Sequence, residues 1–65
     1  MTFNNKINNK FGKLLKKLRH NSYLTQEELA NRSYINIKTI SNIENGKVNI
    51  DFDELESISD VLNID

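Results

Sequence analysis

The side chains best suited to chemistry lie within one short segment, residues 37–45. Plotted on a helix at about 100° per residue, this segment separates three isoleucines from a row of polar residues. The isoleucines are Ile37, Ile40 and Ile43, and the polar residues are Lys38, Thr39, Ser41, Asn42 and Asn45. Such a polar face offers the hydrogen-bond donors and acceptors that base edges require. A helix face that is simply solvated would have a similar composition, so this segment alone leaves both interpretations open.

Residues for catalysis or for metal binding are not grouped in this way. The sequence contains no Cys, and His20 is its only His, which excludes thiolate and multi-histidine sites. Asp51, Asp53 and Glu54 are close in sequence, but they lack the spacing and the Gly of a calcium loop, and acidic residues stabilise a helix start. Neither a Gly-rich phosphate loop nor a nucleophile with a neighbouring base is present. We therefore predict no enzyme activity, no cofactor and no metal.

Charge is distributed unevenly along a chain whose net charge is zero. Residues 1–32 contain seven basic and two acidic residues, a net charge of +5. Residues 33–65 contain two basic and seven acidic residues, a net charge of −5. A dipolar protein of this kind can still bring a basic side to phosphate groups. No apolar run has the length of a signal peptide or of a membrane span. We expect a cytoplasmic protein with no membrane partner.

Apolar spacing predicts a single domain, residues 7–65, after a mobile N-terminal arm, residues 1–6. Helix 1 carries an apolar stripe at spacings of three and four residues. The stripe consists of Ile7, Phe11, Leu14, Leu15 and Leu18. The aromatic residues Phe3 and Tyr23 are expected to pack at the edge of the domain.

Capping residues set the limits of three further helices. Thr25 and Glu28 have the spacing of a capping box, which places the start of helix 2 at Gln26. Asn36 is a suitable N-cap for helix 3, over residues 37–45, and Gly46 suits the left-handed position that ends it. Helix 4 begins with a second capping pair, and an apolar stripe follows. The pair is Asp51 and Glu54, and the stripe is Phe52, Leu55, Ile58 and Leu62.

This order of residues resembles the Cro and phage-repressor (Xre-type) family of helix-turn-helix regulators. The residues that carry the resemblance are 25–30 (TQEELA), Ile35, 39–41 and 43–47, and the likeness extends from Phe11 to Ile64. It implies an all-α, repressor-like domain of four or five helices, in which helix 3 enters the major groove of double-stranded DNA. It also implies sequence-specific control of transcription by a homodimer, at least on DNA, at a palindromic operator.

The resemblance and the helical wheel together assign roles to individual residues. The base-reading set is Ile37, Lys38, Ser41 and Asn42, and the phosphate-binding set is Gln26, Thr39, Asn45 and Lys47. Lys38 and Asn42 are one helical turn apart and can donate to base edges, while Ile37 can contact a thymine methyl group. Glu44 falls on the core side of the wheel, and the family pairs this position with that of Arg19 in a partly buried salt bridge.

Three features leave alternatives open. Tyr34 stands where the family usually has Gly, and a left-handed backbone there would cost on the order of 1 kcal/mol, so the turn is loose, lengthened or strained. Zero net charge and an acidic helix 4 also suit a protein-interaction module, such as an antitoxin or anti-repressor subunit. The arm, or a surface formed by Val61, Leu62 and Ile64, could pair two copies. The chain could also be fused to, or regulated by, a further domain.

Overall fold

Four α-helices form the fold of residues 5–63, the part of the chain that the computed structural model describes. They are α1 (Asn5–Asn21), α2 (Gln26–Ser33), α3 (Ile37–Glu44) and α4 (Phe52–Leu62). No strand occurs between residues 5 and 63. The predicted all-α class is therefore confirmed, with four helices in this part of the chain. None of the four is long and apolar enough to cross a membrane.

Side-chain caps start α2, α3 and α4 at the residues that the sequence predicts. The Thr25 hydroxyl accepts from the Glu28 N–H at 3.0 Å, and the Glu28 carboxylate accepts from the Thr25 N–H at 2.9 Å. Asp51 and Glu54 make the same reciprocal pair before α4, and Asn36 caps α3. Each cap satisfies N–H groups that have no partner within the helix. The Thr25 N–H also lowers the pKa of the Glu28 carboxyl, because it stabilises the charged form.

The start of α1 differs from the prediction. The helix begins at Asn5, so Asn5 and Lys6 belong to α1 and not to the N-terminal arm. Apolar spacing could not indicate this, because the stripe begins at Ile7, whereas backbone hydrogen bonding in a first turn needs no apolar side chain. Residues 1–4 of the predicted arm, with Phe3 among them, lie outside the described residues.

The core is aliphatic, and α3 contributes two of its most deeply buried side chains. The four largest side chains that are fully buried are those of Leu29, Ile40, Ile43 and Ile58. The remaining core residues are Leu15, Leu24, Ala30 and Leu62. Because burying a side chain of this size contributes roughly 1.5–3 kcal/mol, Ile40 and Ile43 hold α3 firmly to the domain.

The outer edges of the predicted apolar stripes are not buried. Leu14 is 51% exposed and Phe52 is 75% exposed, whereas Leu15 and Ile58 on the same helices are buried. Tyr23, which we expected to pack at the edge, is 93% exposed, because it occupies a left-handed turn position after α1 that leaves its ring in solvent. Periodicity identifies the side of each helix that turns inward, but residues 5–63 are too few to cover all of it.

Two glycines allow close contact between α1 and the C-terminal end of α3. A Cβ atom at Gly12 would lie 2.5 Å from the carbonyl oxygens of both Ile43 and Glu44. Gly46 has φ 72° and lies directly against Asn9 of α1, so a side chain there would meet steric contact as well as left-handed strain. Helix α3 ends at Glu44, one residue earlier than predicted. Its C-terminal end is therefore held directly against α1.

Candidate nucleic-acid interface

The turn between α2 and α3 is short, although Tyr34 occupies the position where the family usually has glycine. Tyr34 has φ 58° and ψ 33°, the left-handed conformation for which glycine is the usual residue. The backbone N–H groups of Tyr34 and Ile35 both donate to the carbonyl of Ala30. Only residues 34–36 separate the two helices, so the turn is not lengthened. The left-handed backbone at Tyr34 makes it strained instead. The Tyr34 ring is 97% exposed, and therefore little burial offsets a strain of about 1–2 kcal/mol.

The two faces of α3 agree with the helical wheel. Ile40 and Ile43 are buried, Lys38 is exposed and Asn42 is half-buried. Lys38 and Asn42 are four residues apart and therefore lie side by side on the helix surface. Ile37 is the exception, because the wheel groups it with the apolar side that anchors the helix, whereas in the first turn it is 45% exposed and is available for contact with a partner. The predicted division of α3 into a core side and a solvent side is confirmed, whereas the role of the solvent side in DNA binding stays a prediction.

The residues predicted to hold phosphate are not gathered in one place. Asn45 and Lys47 lie exposed at the C-terminal end of α3, and the Asn45 amide donates to the Ser41 hydroxyl at 3.4 Å. Thr39 is half-buried and lines an open cleft of about 410 Å³ that it shares with Asp53 of α4. A carboxylate near this cleft opposes the approach of a phosphate, so Thr39 is less favourably placed than Asn45 and Lys47.

Gln26 is the first residue of α2, and its side chain turns toward α3. The Nε2 atom donates to Oε1 of Glu44 at 3.0 Å, in a partly buried position. Glutamine has two N–H donors and one carbonyl acceptor, so this bond leaves one N–H and the carbonyl for a partner. The two residues are 18 positions apart, and no local pattern predicts the contact. The sequence did indicate that Glu44 would face inward, because the helical wheel places it on the core side of α3.

Glu44 is also paired with Arg19, and this is the ion pair that the family resemblance implies. Arg19 Nε donates to Oε2 at 2.7 Å and Nη2 donates to Oε1 at 3.1 Å. The Nη1 atom donates to the carbonyl of Leu24 at 2.8 Å. Both charged side chains are buried, and every buried side-chain polar atom in residues 5–63 has a partner. This pairing is what a buried charge requires, and it connects the end of α1, the loop before α2 and the end of α3.

Charge is divided between α1 and α4 in space as it is in sequence. The lysines of α1 are exposed, and so are the acidic residues of α4 that take no part in its cap. These lysines are Lys6, Lys10, Lys13, Lys16 and Lys17, and these acidic residues are Asp53, Glu56 and Asp60. Within residues 5–63, no group of acidic or histidine side chains is arranged to hold a metal ion.

Comparisons with known proteins extend over the same elements. The sequence model of the family described as Helix-turn-helix matches residues 15–65, which include all of α2, α3 and α4. Among solved structures, a similar chain is the restriction-modification controller protein C.AhdI from Aeromonas hydrophila, known from a high-resolution crystal structure. It is 28% identical, with a TM-score of 0.90, and the match covers 92% of this chain and 91% of that chain. No curated protein matches the sequence.

Proposed function

This chain belongs to the helix-turn-helix family and is a DNA-binding transcriptional regulator, and from this premise we propose that α3 lies in the major groove and reads base edges. The family that the sequence resemblance indicates is thereby confirmed. Helix-turn-helix proteins of this kind typically act as DNA-binding regulators and are not typically enzymes. The residues that contact DNA, and the manner in which they do so, are our proposal.

The division of α3 into a buried side and an outward side is the observation that carries the proposal. Ile40 and Ile43 fix the helix to the core, and Lys38 and Asn42 project from the opposite side. Lysine donates to the O6 and N7 atoms of guanine, and asparagine bonds to N6 and N7 of adenine. Ile37 can contact a thymine methyl group from the first turn. We assign base reading to these three outward residues and to Ser41 beside them.

Phosphate contacts would hold this helix in register without reading sequence. Gln26 begins α2, where backbone N–H groups without helical partners favour an anion, and its side chain keeps one amide N–H for a phosphate oxygen. Asn45 and Lys47 are exposed beyond the other end of α3 and would hold a second phosphate. Thr39 completes the proposed set, although its acidic neighbours make it the weakest member.

We propose that two copies bind a palindromic operator as a homodimer. One domain of this size presents a single α3, and a two-fold pair presents two, so that the contacts with DNA are doubled. The likeness to a restriction-modification controller protein over 91% of that chain supports a role in controlling transcription for this small domain. Such a regulator acts beside DNA, and its proposed location is the cytoplasm.

The test compares two alanine variants on two DNAs. A preferred site is first selected from a random DNA pool, and a scrambled sequence serves as the second DNA. Asn42→Ala is expected to cost about 1–3 kcal/mol of binding free energy on the preferred site and to relax the preference at one or two base pairs. Lys47→Ala is expected to weaken binding to both DNAs alike and to lower the salt slope by about 1.

Binding of both variants is measured on both DNAs at two salt concentrations. Equal weakening of the two DNAs by Asn42→Ala would show that α3 does not read bases, and the proposed mode of binding would be abandoned. Lys47→Ala is the matched control, because it removes a charged contact at the end of the same helix without removing a base-reading group.

A further inference from the structure

The sequence contains one Asn–Gly pair, Asn45 and Gly46, which follows the last residue of α3. Such a pair can modify itself, because the backbone nitrogen after an asparagine can attack its side-chain amide carbon, and glycine has no side chain to hinder the attack. Asn45 is exposed to water, whereas Gly46 is buried against Asn9 of α1. Whether the pair reacts therefore depends on the conformation of the end of α3.

The reaction has two steps, and water is its only co-reactant. The Gly46 nitrogen loses its proton and bonds to Cγ of Asn45, and the Cγ–Nδ2 bond breaks as ammonia leaves with that proton, which produces a five-membered imide ring. Water then opens the ring. Breaking the new Cγ–N bond gives aspartate, and breaking the original backbone C–N bond gives isoaspartate, in which the main chain passes through Cγ. Each product replaces a neutral amide by a carboxylate.

The folded conformation keeps the reacting atoms apart. Ring closure needs the Gly46 nitrogen to eclipse Cβ of Asn45 about the Cα–C bond. At ψ 2° this nitrogen instead eclipses the backbone nitrogen of Asn45, a third of a turn from Cβ. The Gly46 N–H also donates to the carbonyl of Ile43 at 3.1 Å, and the Asn45 amide donates to the Ser41 hydroxyl at 3.4 Å. Asn45 therefore reacts only after this end of α3 has opened.

The contacts that keep this end closed are buried and lie one residue away. Glu44 precedes Asn45, and its carboxylate accepts from Arg19 of α1 and from Gln26 of α2. We call these two contacts the Glu44 anchor. Segments of a folded protein open locally at a lower free energy than the whole domain unfolds, and a segment held by fewer contacts opens more often. A weaker anchor should therefore expose Asn45 to reaction more often.

We infer that Asn45 is a modification site controlled by the Glu44 anchor. While the anchor holds, the amide is preserved. When the end of α3 opens, Asn45 and Gly46 close the imide ring, and hydrolysis leaves a carboxylate at position 45. This carboxylate repels phosphate and lies at the negative end of the helix dipole. The modified protein binds DNA more weakly, a consequence that rests on the proposed role of Asn45 in holding phosphate.

Conversion is measured on the folded and on the unfolded chain. Both are kept in mildly alkaline buffer, without and with guanidinium chloride, and peptide mass mapping follows each asparagine, because a carboxylate is heavier than the amide. Asn45 is expected to convert first in the unfolded chain, and at least ~10-fold more slowly in the folded chain. Asn49 is the internal control, since it is also exposed but is followed by Ile50, whose side chain hinders the attack.

Variants of the anchor test its control of the reaction. In the folded chain, Glu44→Ala is expected to raise the conversion rate of Asn45 at least ~10-fold, because it leaves Arg19 without its charged partner. Gln26→Ala keeps the ion pair and is expected to give a smaller rise, while Glu56→Ala on α4 gives none. Far-UV circular dichroism identifies a variant that has unfolded, and Gln26→Ala decides the question if Glu44→Ala is unfolded.

The consequence for DNA is tested with Asn45→Asp, which is the aspartate product. This variant is expected to bind the preferred site at least ~10-fold more weakly than the unmodified chain. Asn31→Asp is the matched control, because it adds the same charge at an exposed position of α2 outside the proposed contacts, and its affinity is expected to change by less than about 3-fold.

The inference is overturned by equal conversion of Asn45 in the folded and unfolded chains, by the absence of acceleration in both folded anchor variants, or by undiminished DNA binding of Asn45→Asp. The rate measurements contain no DNA, so their outcome is independent of the proposed function. Failure of the proposed function appears instead as equal weakening of both DNAs by Asn42→Ala.

Discussion

The two ends of α3 are held by different kinds of contact. At the C-terminal end, Glu44 is buried between Arg19 and Gln26, and the last carbonyls lie against Gly12 of α1. At the N-terminal end, Asn36 caps the helix, the turn before it is strained and open to solvent, and the first residue of the helix is nearly half exposed.

This difference shows that anchoring and partner contact are assigned to opposite ends of one short helix. A helix of eight residues has little stability of its own, so it must be fixed somewhere by tertiary contacts. Here the fixed end is the one that is buried against α1 and α2. The first turn, which would enter the groove, then keeps its side chains available.

The largest expected effect is at the fixed end. Glu44→Ala is expected to lower the free energy of unfolding by about 3 kcal/mol, because Arg19 would stay buried without its charged partner. Urea titration measures the change, and Glu56→Ala, which removes an exposed acid from α4, is the matched control with an expected change within about 0.5 kcal/mol. Equal midpoints for the two variants would show that the C-terminal end is not the anchor, and the contrast between the ends would fail.

The close approach of α1 to α3 gives a second, smaller effect. Alanine is favoured over glycine within a helix by roughly 0.5–1 kcal/mol, but the Cβ of Gly12→Ala would press on backbone oxygens that cannot move without shifting α3, at a cost of about 1–3 kcal/mol. We therefore expect a net loss of about 1–2 kcal/mol. Lys13→Ala, at the next and exposed position, is the control for an alanine substitution that brings no new contact with α3. A stabilised Gly12→Ala variant would mean that α1 and α3 separate easily.

The smallest effect is expected at the N-terminal end, and it has the opposite sign. Tyr34→Gly removes the left-handed strain of about 1–2 kcal/mol but adds freedom to the unfolded chain, so a net gain of about 0.5–1 kcal/mol is expected. Tyr34→Ala keeps the Cβ atom and should bring no gain. If both variants had the same stability, the turn would not be strained, and the two ends would differ less than the structure indicates.

Features that depend on neighbours in sequence could be predicted for this chain. Thr25 with Glu28, and Asn36, set helix starts through hydrogen bonds within one turn, so residue type and spacing suffice to locate them. The core side of α3 follows from isoleucines at helical spacing, of which Ile40 and Ile43 are buried and Ile37 in the first turn is not. The family resemblance supplied the pairing of Arg19 with Glu44, which spacing alone does not indicate.

Features that depend on how the helices cross could not be predicted in this way. The bond from Gln26 to Glu44 and the contact of Gly12 with α3 join segments far apart in sequence, and no periodicity reports them. The exposure of Phe52 was also missed, because an apolar stripe predicts which side turns inward but not how far the neighbouring helix reaches across it. The DNA roles of Lys38 and Asn42 remain predictions, since they concern a partner and not the fold.

The two exposed tyrosines determine which optical signals can follow this protein. The chain has two Tyr and no Trp, and both rings are at least 93% exposed. A ring that is in water before and after unfolding changes its surroundings little, so tyrosine emission is a poor reporter of folding, and the far-UV signal of the helices is the appropriate one for the titrations above. Tyr34 lies in the turn immediately before α3, so its emission is available as a reporter of contact with DNA.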